Sequence, residues 1–343
     1  MKSPFGRNKP CFIIAEAGVN HNGSLARAKE MVEVAAASGA DAVKFQTFRA
    51  EALASADAPL ADYMKKPGET APDQLTLLKS LEFSDAQFAE LKAYCEECGI
   101  RFMSTAFDEA SADMLDALGM DVVKVPSGEL TNIPFLRHLA RKGRATILST
   151  GMGTLGEVEA AVETLTENGA GPLAILHCVS AYPTPPSEVN LRAMDTLGAA
   201  FHLPVGFSDH TLGFPVAWAA VARGACILEK HFTLDRSLPG PDHAASLEPD
   251  ELKTLVQGVR DIESCLGDGR KRPTAAELNT KQVARRSVVL TQACPAGTVL
   301  TEAHVGLRRP AGGIEPADWD RVIGRTLRQD VPAGHRLAWS DLQ

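Results

Sequence analysis

From residue 11 onward, short and nearly continuous apolar runs alternate with longer stretches of helical period. The runs are CFIIAE (11–16), DAVKFQ (41–46), IRFMST (100–105), DVVKV (121–125), ATILST (145–150), LAILHC (173–178), PVGFS (204–208) and ACILEK (225–230). Runs without polar alternation suit strands covered on both faces, as in a parallel sheet. Between them lie amphipathic stretches. LARAKEMVEVAAAS (25–38) predicts a helix with Ser24 as N-cap and Gly39 at C′. FSDAQFAELKAYCEEC and LGEVEAAVETLTEN predict two more. Eight strands alternating with eight helices have the rhythm and size of a (β/α)8 TIM barrel. An open doubly wound sheet would open with a G-x-G-x-x-G turn, and AEAGVNHNG is not one.

The pattern divides the chain into a barrel domain over 1–265, a polar, Gly/Pro-bearing linker over 266–283 and a small β-rich domain over 284–343. The last part carries an internal repeat. VLTQACPAGTVLTEAHV (289–305) aligns with TLRQDVPAGHRLAWSDL (326–342) at an offset of 37 residues. Two related turn units in so short a module predict a compact pseudo-symmetric fold.

Composition narrows the function classes. The formal charge of −8 argues against a general nucleic-acid binder, which needs a basic face. Seven cysteines, an odd number spread from Cys11 to Cys294, point to reduced thiols rather than a disulfide framework. Cys95 and Cys98 form a lone C-x-x-C at a helix end, which reads as structural. No apolar run reaches the ~18–20 residues of a membrane span, and MKSPFGRNKP has no apolar signal core. The expectation is a cytoplasmic protein without membrane or nucleic-acid partners.

Barrel enzymes draw their sites from the C-terminal ends of the strands. Those ends offer Glu16 with Asn20-His21-Asn22, Lys44 and Gln46, Lys124 with Ser127 and Glu129, and Ser149. Further round they offer His177, Ser180 and Tyr182, then Ser208, Asp209 and His210, then Lys230 and His231. Polar groups in apolar strands are costly unless partnered or used. Lys44 and Lys124, with Ser127, Ser149 and Ser208, suit a phosphate or carboxylate ligand; the bland alternative is lysines reaching out to the rim. His210 and His231 are too few for a structural zinc site. They suit either a Mn²⁺ or Mg²⁺ completed by substrate and water, or a hydrogen-bonded core pair.

IAEAGVNHNG, GADAVKFQTF, VPSGELTN, ILSTGM, LHCVSAYPTP, GFSDHT, LEKHFT and PGPDHAASLEP together resemble the sialic acid synthase family. The resemblance runs from about residue 9 to the end of the chain, and many ordered motifs carry it. It implies a TIM barrel followed by a small antifreeze-like SAF domain. It also implies condensation of phosphoenolpyruvate with an N-acyl amino sugar. By motif it implies phosphoenolpyruvate binding by Lys44, Lys124, Ser127, Ser149 and Ser208, and a metal, Mn²⁺ or Mg²⁺, on His210 and His231. Gln46, Tyr182 and Asp242 would line the sugar pocket. Glu16 and Glu129 are both candidates for the catalytic carboxylate. Arg309, from the SAF domain of a partner subunit in a domain-swapped homodimer, would complete the site. Ser180 stands where some bacterial relatives carry Asn, and the stretch 54–80 matches poorly and supplies no contact.

The implied chemistry is the attack of an enol-ester carbon on a sugar aldehyde, followed by water addition and loss of phosphate. N-acetylmannosamine would give N-acetylneuraminate; 2,4-diacetamido-2,4,6-trideoxymannose would give legionaminate. Rival readings are a Schiff-base aldolase using a barrel lysine such as Lys124 and a non-catalytic carbohydrate-binding protein.

Overall fold

The computed structural model describes residues 3–6, 9–55 and 73–343. They form two compact units, Met1–Gly267 and Asp268–Gln343. Unit one is a closed eight-stranded parallel barrel. Its strands are β1 (Phe12–Gly18), β2 (Ala42–Thr47), β3 (Arg101–Ala106), β4 (Val122–Val125), β5 (Ala145–Ser149), β6 (Leu173–Cys178), β7 (Val205–Asp209) and β8 (Ile227–His231). The helices on the chain between and after them are α1 (Leu25–Ala37), α2 (Ala50–Leu53), α3 (Gln74–Leu81), α4 (Asp85–Glu97), α5 (Glu109–Ala117), α6 (Ile133–Ala140), α7 (Leu155–Glu167), α8 (Ala193–Phe201), α9 (Pro215–Ala222) and α10 (Pro249–Leu266). The TIM barrel expected from the alternation is present.

Local chemistry sets the element ends. Ser24 caps α1 by accepting from the Arg27 amide, and Gly39 follows with a φ of +80°. Ser84 and Gln87 form a capping box on α4, as Thr154 and Glu157 do on α7. Cys95 is buried on α4 and Cys98 ends it.

Two apolar layers hold the barrel. The outer one packs Ile13, Ala15, Val43, Phe45 and their like under the helices. The inner one fills the base with Phe5, Phe12, Ile14, Ala42, Met103, Val122, Ile147, Ala174, Leu176 and Ile227. Because side chains alternate along a strand, the next inward position above this plug is polar on most strands, and that is where the site begins. Among the described residues no helix is long and apolar enough to cross a membrane.

Unit two holds α11 (Glu277–Ala284), the antiparallel pair β9 (Ser287–Leu290) and β10 (Val305–Arg308), and α12 (Trp319–Val322). The linker expected over 266–283 therefore includes most of a helix, α11. The Thr274 amide and hydroxyl both donate to Glu277, which starts a helix as soon as the Gly/Pro-rich stretch ends. The repeat is visible as hydrogen bonds related by the same offset. Gly334 N donates to Leu290 O as Gly297 N donates to Leu327 O, and Cys294 and Val331 exchange both backbone bonds. Leu290, Cys294, Leu300 and Val305 pack against their counterparts Leu327, Val331, Leu337 and Leu342 in one core.

Candidate active site

Each strand sends at least one inward side chain into a cavity of about 390 Å³ at the C-terminal mouth, and the lowest form its floor. These are Glu16, Lys44, Thr105, Lys124, Ser149, Cys178, Ser208 and Glu229, in strand order. Lys44 Nζ lies 2.6 Å from Glu16 Oε2 and 3.6 Å from Glu229 Oε2, and donates to Thr105 Oγ1 at 2.9 Å. Lys124 Nζ lies 3.3 Å from Glu229 Oε1, which also accepts from Ser208 Oγ at 3.1 Å. All four charged groups are buried. Such a cluster costs desolvation energy that apolar residues would not, so it argues for use rather than stability.

The cluster sets its own protonation. Burial pushes the Glu16 carboxyl up to about 7, against the pull of Lys44. Burial also opposes the Glu229 carboxylate, but Lys124 and Lys44 outweigh it and hold the group near 2. Lys124 is held below the ordinary lysine range by burial, with Lys44 adding repulsion against the attraction of Glu229. Burial acts on Lys44 the same way, but Glu16 and Glu229 outweigh it and hold its pKa above the ordinary value. Near neutrality the floor thus holds two ammonium groups, one full carboxylate and one carboxyl that titrates. It is biased towards positive charge and suits an anion. Ser149 Oγ is buried with no hydrogen-bond partner among the described residues, so its donor is available. Ser127 Oγ accepts from the Gly151 amide at 2.9 Å and lies 3.6 Å from Cys178 Sγ.

Glu229 was not legible as a site residue from the last strand, which offered Lys230 and His231. Parity is the signal: Glu229 lies two residues before His231 and so faces the same way. Lys230 faces the other way. It pairs with Asp209 at 2.9 Å and donates to the Thr211 carbonyl, all deep in the wall.

His210 and His231 end β7 and β8 with ring centroids 5.4 Å apart. The Val179 carbonyl lies 2.7 Å from His210 Nδ1 and can only accept, which puts the proton on Nδ1 and leaves Nε2 as a free lone pair. His231 Nδ1 is buried and has no hydrogen-bond partner among the described residues. Burial, with His210 and Lys44 nearby, keeps the His231 ring neutral. Burial acts on His210 the same way, but Cys178 and the Val179 carbonyl outweigh it and hold the ring above the ordinary histidine value. Two imidazoles facing one cavity fit a divalent ion that takes its other ligands from substrate and water. Among the described residues no group of three or more His, Cys, Asp and Glu side chains is placed to hold one alone.

Above the floor, Gln46, Tyr182 and Asp242 line the same cavity. The Tyr182 ring lies 4.2 Å from that of His210, and Asp242 Oδ2 lies 3.7 Å from His231 Nδ1. Gly18, at φ +53°, keeps their meeting point open. A Cβ there would lie 3.4 Å from Gln46 Nε2 and Glu16 Oε1 and 3.5 Å from Asp242 Oδ2. An apolar cluster of Val19, Leu53, Leu77, Leu78, Leu81 and Phe107 also lines the cavity. Part of it comes from α3, in the stretch where the sequence supplied no contact; residues 56–72 lie outside the described residues.

Several residues of the barrel singled out in the sequence, Glu129 and His21 among them, do not line this cavity. Glu129 ends a short 3-10 turn, half-buried, and its Oε2 accepts from Asn132 Nδ2 at 2.6 Å. Arg309 lies in unit two, directly after β10. His21 is a core histidine, with its ring stacked on Phe83 at 4.1 Å and its Nδ1 accepting from the Gly23 amide.

Comparison with known proteins finds relatives along nearly the whole chain. Residues 31–271 match the NeuB family and residues 285–343 the SAF domain. The N,N'-diacetyllegionaminic acid synthase of Legionella pneumophila is 46% identical over 99% of this chain and 97% of its own length. Human N-acetylneuraminate-9-phosphate synthase is 40% identical over 94% of this chain and 90% of its own. The crystal structure of N-acetylneuraminic acid (sialic acid) synthetase from Leptospira borgpetersenii, in complex with citrate, is 37% identical. It superposes with a TM-score of 0.72 over 80% of this chain and 90% of that one. The chain belongs to the NeuB family, as a phosphoenolpyruvate-dependent enzyme that forms a carbon–carbon bond, and carries a C-terminal SAF domain.

Proposed function

We propose that the protein condenses phosphoenolpyruvate with 2,4-diacetamido-2,4,6-trideoxymannose to give N,N'-diacetyllegionaminate and phosphate, with N-acetylmannosamine as the weaker acceptor. The carrying observation is a single cavity that joins a buried ammonium floor to a pair of histidines. The floor suits the anionic donor and the histidines face the carbonyl acceptor. The aliphatic wall of Leu53, Leu77, Leu78 and Leu81 supports an acceptor rich in methyl groups. The relatives from Legionella pneumophila and Campylobacter jejuni named for diacetyllegionaminic acid, at 46% and 45% identity, point the same way.

In this reading Lys44, Lys124, Ser127, Ser149 and Ser208 hold the phosphate and carboxylate of the donor. Gln46, Tyr182 and Asp242 orient the open-chain sugar. C3 of the enol ester attacks the aldehyde carbon, and water then adds at C2. The tetrahedral product expels phosphate by C–O cleavage. Fixing the two reactants in line removes much of the entropic barrier. A divalent ion on His210 and His231, when bound, supplies Lewis-acid polarisation of the aldehyde. We assign the proton of the attacking water to Glu16, which faces the cavity and titrates near neutrality, where a general base works best. Glu129 would have to leave Asn132 to serve. The proposal includes a domain-swapped homodimer and a role for Arg309 in holding the donor; R309A should raise the KM for phosphoenolpyruvate without lowering Tm.

The test is phosphate release from phosphoenolpyruvate with Mn²⁺, with the two sugars run in parallel and each repeated with a chelator. Chelator-sensitive release, with the higher kcat/KM for the diacetamido sugar, is the expected result. A higher value for N-acetylmannosamine would overturn the choice of sugar. Silence with both, together with borohydride trapping of a sugar adduct on Lys124, would overturn the condensation.

A further inference from the structure

The loop after β8 carries Asp242 and closes on itself. The Leu247 amide donates to the His231 carbonyl, and the Thr233 amide donates to that of Leu247. The short loop after β1 grips it from outside the cavity. Asn20 Nδ2 donates to the Phe232 carbonyl at 2.8 Å and to Ser246 Oγ at 3.0 Å. Ser246 Oγ in turn donates to the Asp242 carbonyl at 2.7 Å. Asn22 Nδ2 donates to the Pro239 carbonyl at 2.8 Å.

That last bond determines the rest. A carbonyl can only accept, so the amide of Asn22 is oriented with Oδ1 towards His243 Nε2, 3.1 Å away. An amide oxygen also only accepts, so the proton of His243 sits on Nε2. His243 Nδ1 is then a bare acceptor, and the Thr233 hydroxyl at 2.7 Å is its donor. The alternative acceptor for that hydroxyl, the Asp235 carbonyl, is farther, at 3.1 Å. Burial, with Arg27 nearby, pushes His243 down to about 4, so the ring stays neutral and this directional chain persists at neutral pH. Space agrees: a Cβ on Gly240 would lie 2.8 Å from His243 Cδ2 and 3.1 Å from Asn22 Oδ1. His243 and Thr233 are completely buried. None of Asn22, Thr233 and His243 lines the cavity, and the proposed reaction uses none of them.

We propose that Thr233, His243 and Asn22 are positioning residues for the acceptor sugar: they lock the loop after β8 onto the loop after β1 and so set the carboxylate of Asp242 in the cavity. The inference rests on reading Asp242 as a ligand of the sugar. It assigns a role to the NHN and PDH motifs that the reaction itself leaves unused.

The experiment compares T233V, T233S and D242N in the full-length protein. H243A would empty a fully buried site and so also disturb folding, whereas valine keeps the shape of threonine and removes only the hydroxyl. T233V should raise the KM for the acceptor about tenfold, the worth of a lost buried hydrogen bond. It should leave the KM for phosphoenolpyruvate and the Kd for Mn²⁺ unchanged and lower Tm by no more than about 3 °C. T233S should restore the wild-type value, and D242N should raise the acceptor KM at least as far as T233V. An unchanged acceptor KM in T233V beside a raised one in D242N overturns the clamp and leaves the role of Asp242 standing. An unchanged value in D242N removes that role and the clamp with it. Parallel rises in both KM values would mark a purely structural part and also overturn the proposal.

Discussion

Replacing Glu229 with glutamine leaves two buried ammonium groups without their shared carboxylate. Shape and the hydrogen bond from Ser208 are kept, so charge alone is tested. At 3.3 and 3.6 Å, each Lys–Glu attraction is about 5 kcal/mol for an effective dielectric constant of about 20. Relaxation and loss of the ammonium proton absorb part of this, and breaking a buried pair costs about 3–5 kcal/mol in practice. At about 2 °C per kcal/mol for a chain of this size, Tm should fall by about 6–10 °C. The carboxyl of Glu229 is depressed to about 2 in the fold, so its contribution is present above the ordinary carboxylate value of 4.5 and is lost as pH falls towards 2. The gap between wild type and E229Q should therefore close over that range. An anion in the cavity replaces the missing charge, so phosphate should raise the Tm of E229Q more than that of wild type. Melting curves followed by circular dichroism, with and without phosphate, measure both effects. A Tm within about 1 °C of wild type, or equal phosphate shifts in the two proteins, would refute the reading of Lys44, Lys124 and Glu229 as one electrostatic unit.

H210A and H231A should each weaken Mn²⁺ binding, read by the electron paramagnetic resonance of free Mn²⁺, by at least about tenfold; unchanged binding removes that residue from the metal role. Glu16 has its pKa raised to about 7, and its neutral form leaves the floor more positive, so binding of phosphoenolpyruvate should weaken as pH rises through about 7. E16Q keeps the ligand's own titration but should lose this component, and calorimetric Kd values across pH 6–8 compare the two. A Cβ on Gly151 would collide with Ser180 Oγ and come within 2.7 Å of Ser127 Oγ. G151A should therefore displace Ser127 and raise the KM for phosphoenolpyruvate about tenfold or more, while wild-type kinetics would show that Ser127 is not part of the anion site.

The eight strands, the capped helices and the duplicated C-terminal unit were legible along the chain because each is written in short-range pattern. Apolar continuity marks a strand buried on both faces. Ser24 before an amphipathic run marks a helix start, and the two Pro-Ala-Gly turns mark the repeat. The residue types of the anion site and the histidine pair were legible too, since a lysine in an apolar strand is conspicuous on its own. What the sequence left open was which charges meet. Glu229 compensates Lys44 from two strands away, although 185 positions of chain separate them by number and no local pattern joins them. Asp242 takes its place through a bond between Asn22 and His243, 221 residues apart. The titration of Glu16 near 7 depends on those same distances and on the exclusion of water, and both exist only once the barrel has closed. Local pattern decides which elements form, because it acts through neighbours in the chain. Charge state and side-chain placement were decided by the tertiary structure, because electrostatic and hydrogen-bond energies depend on distance in space.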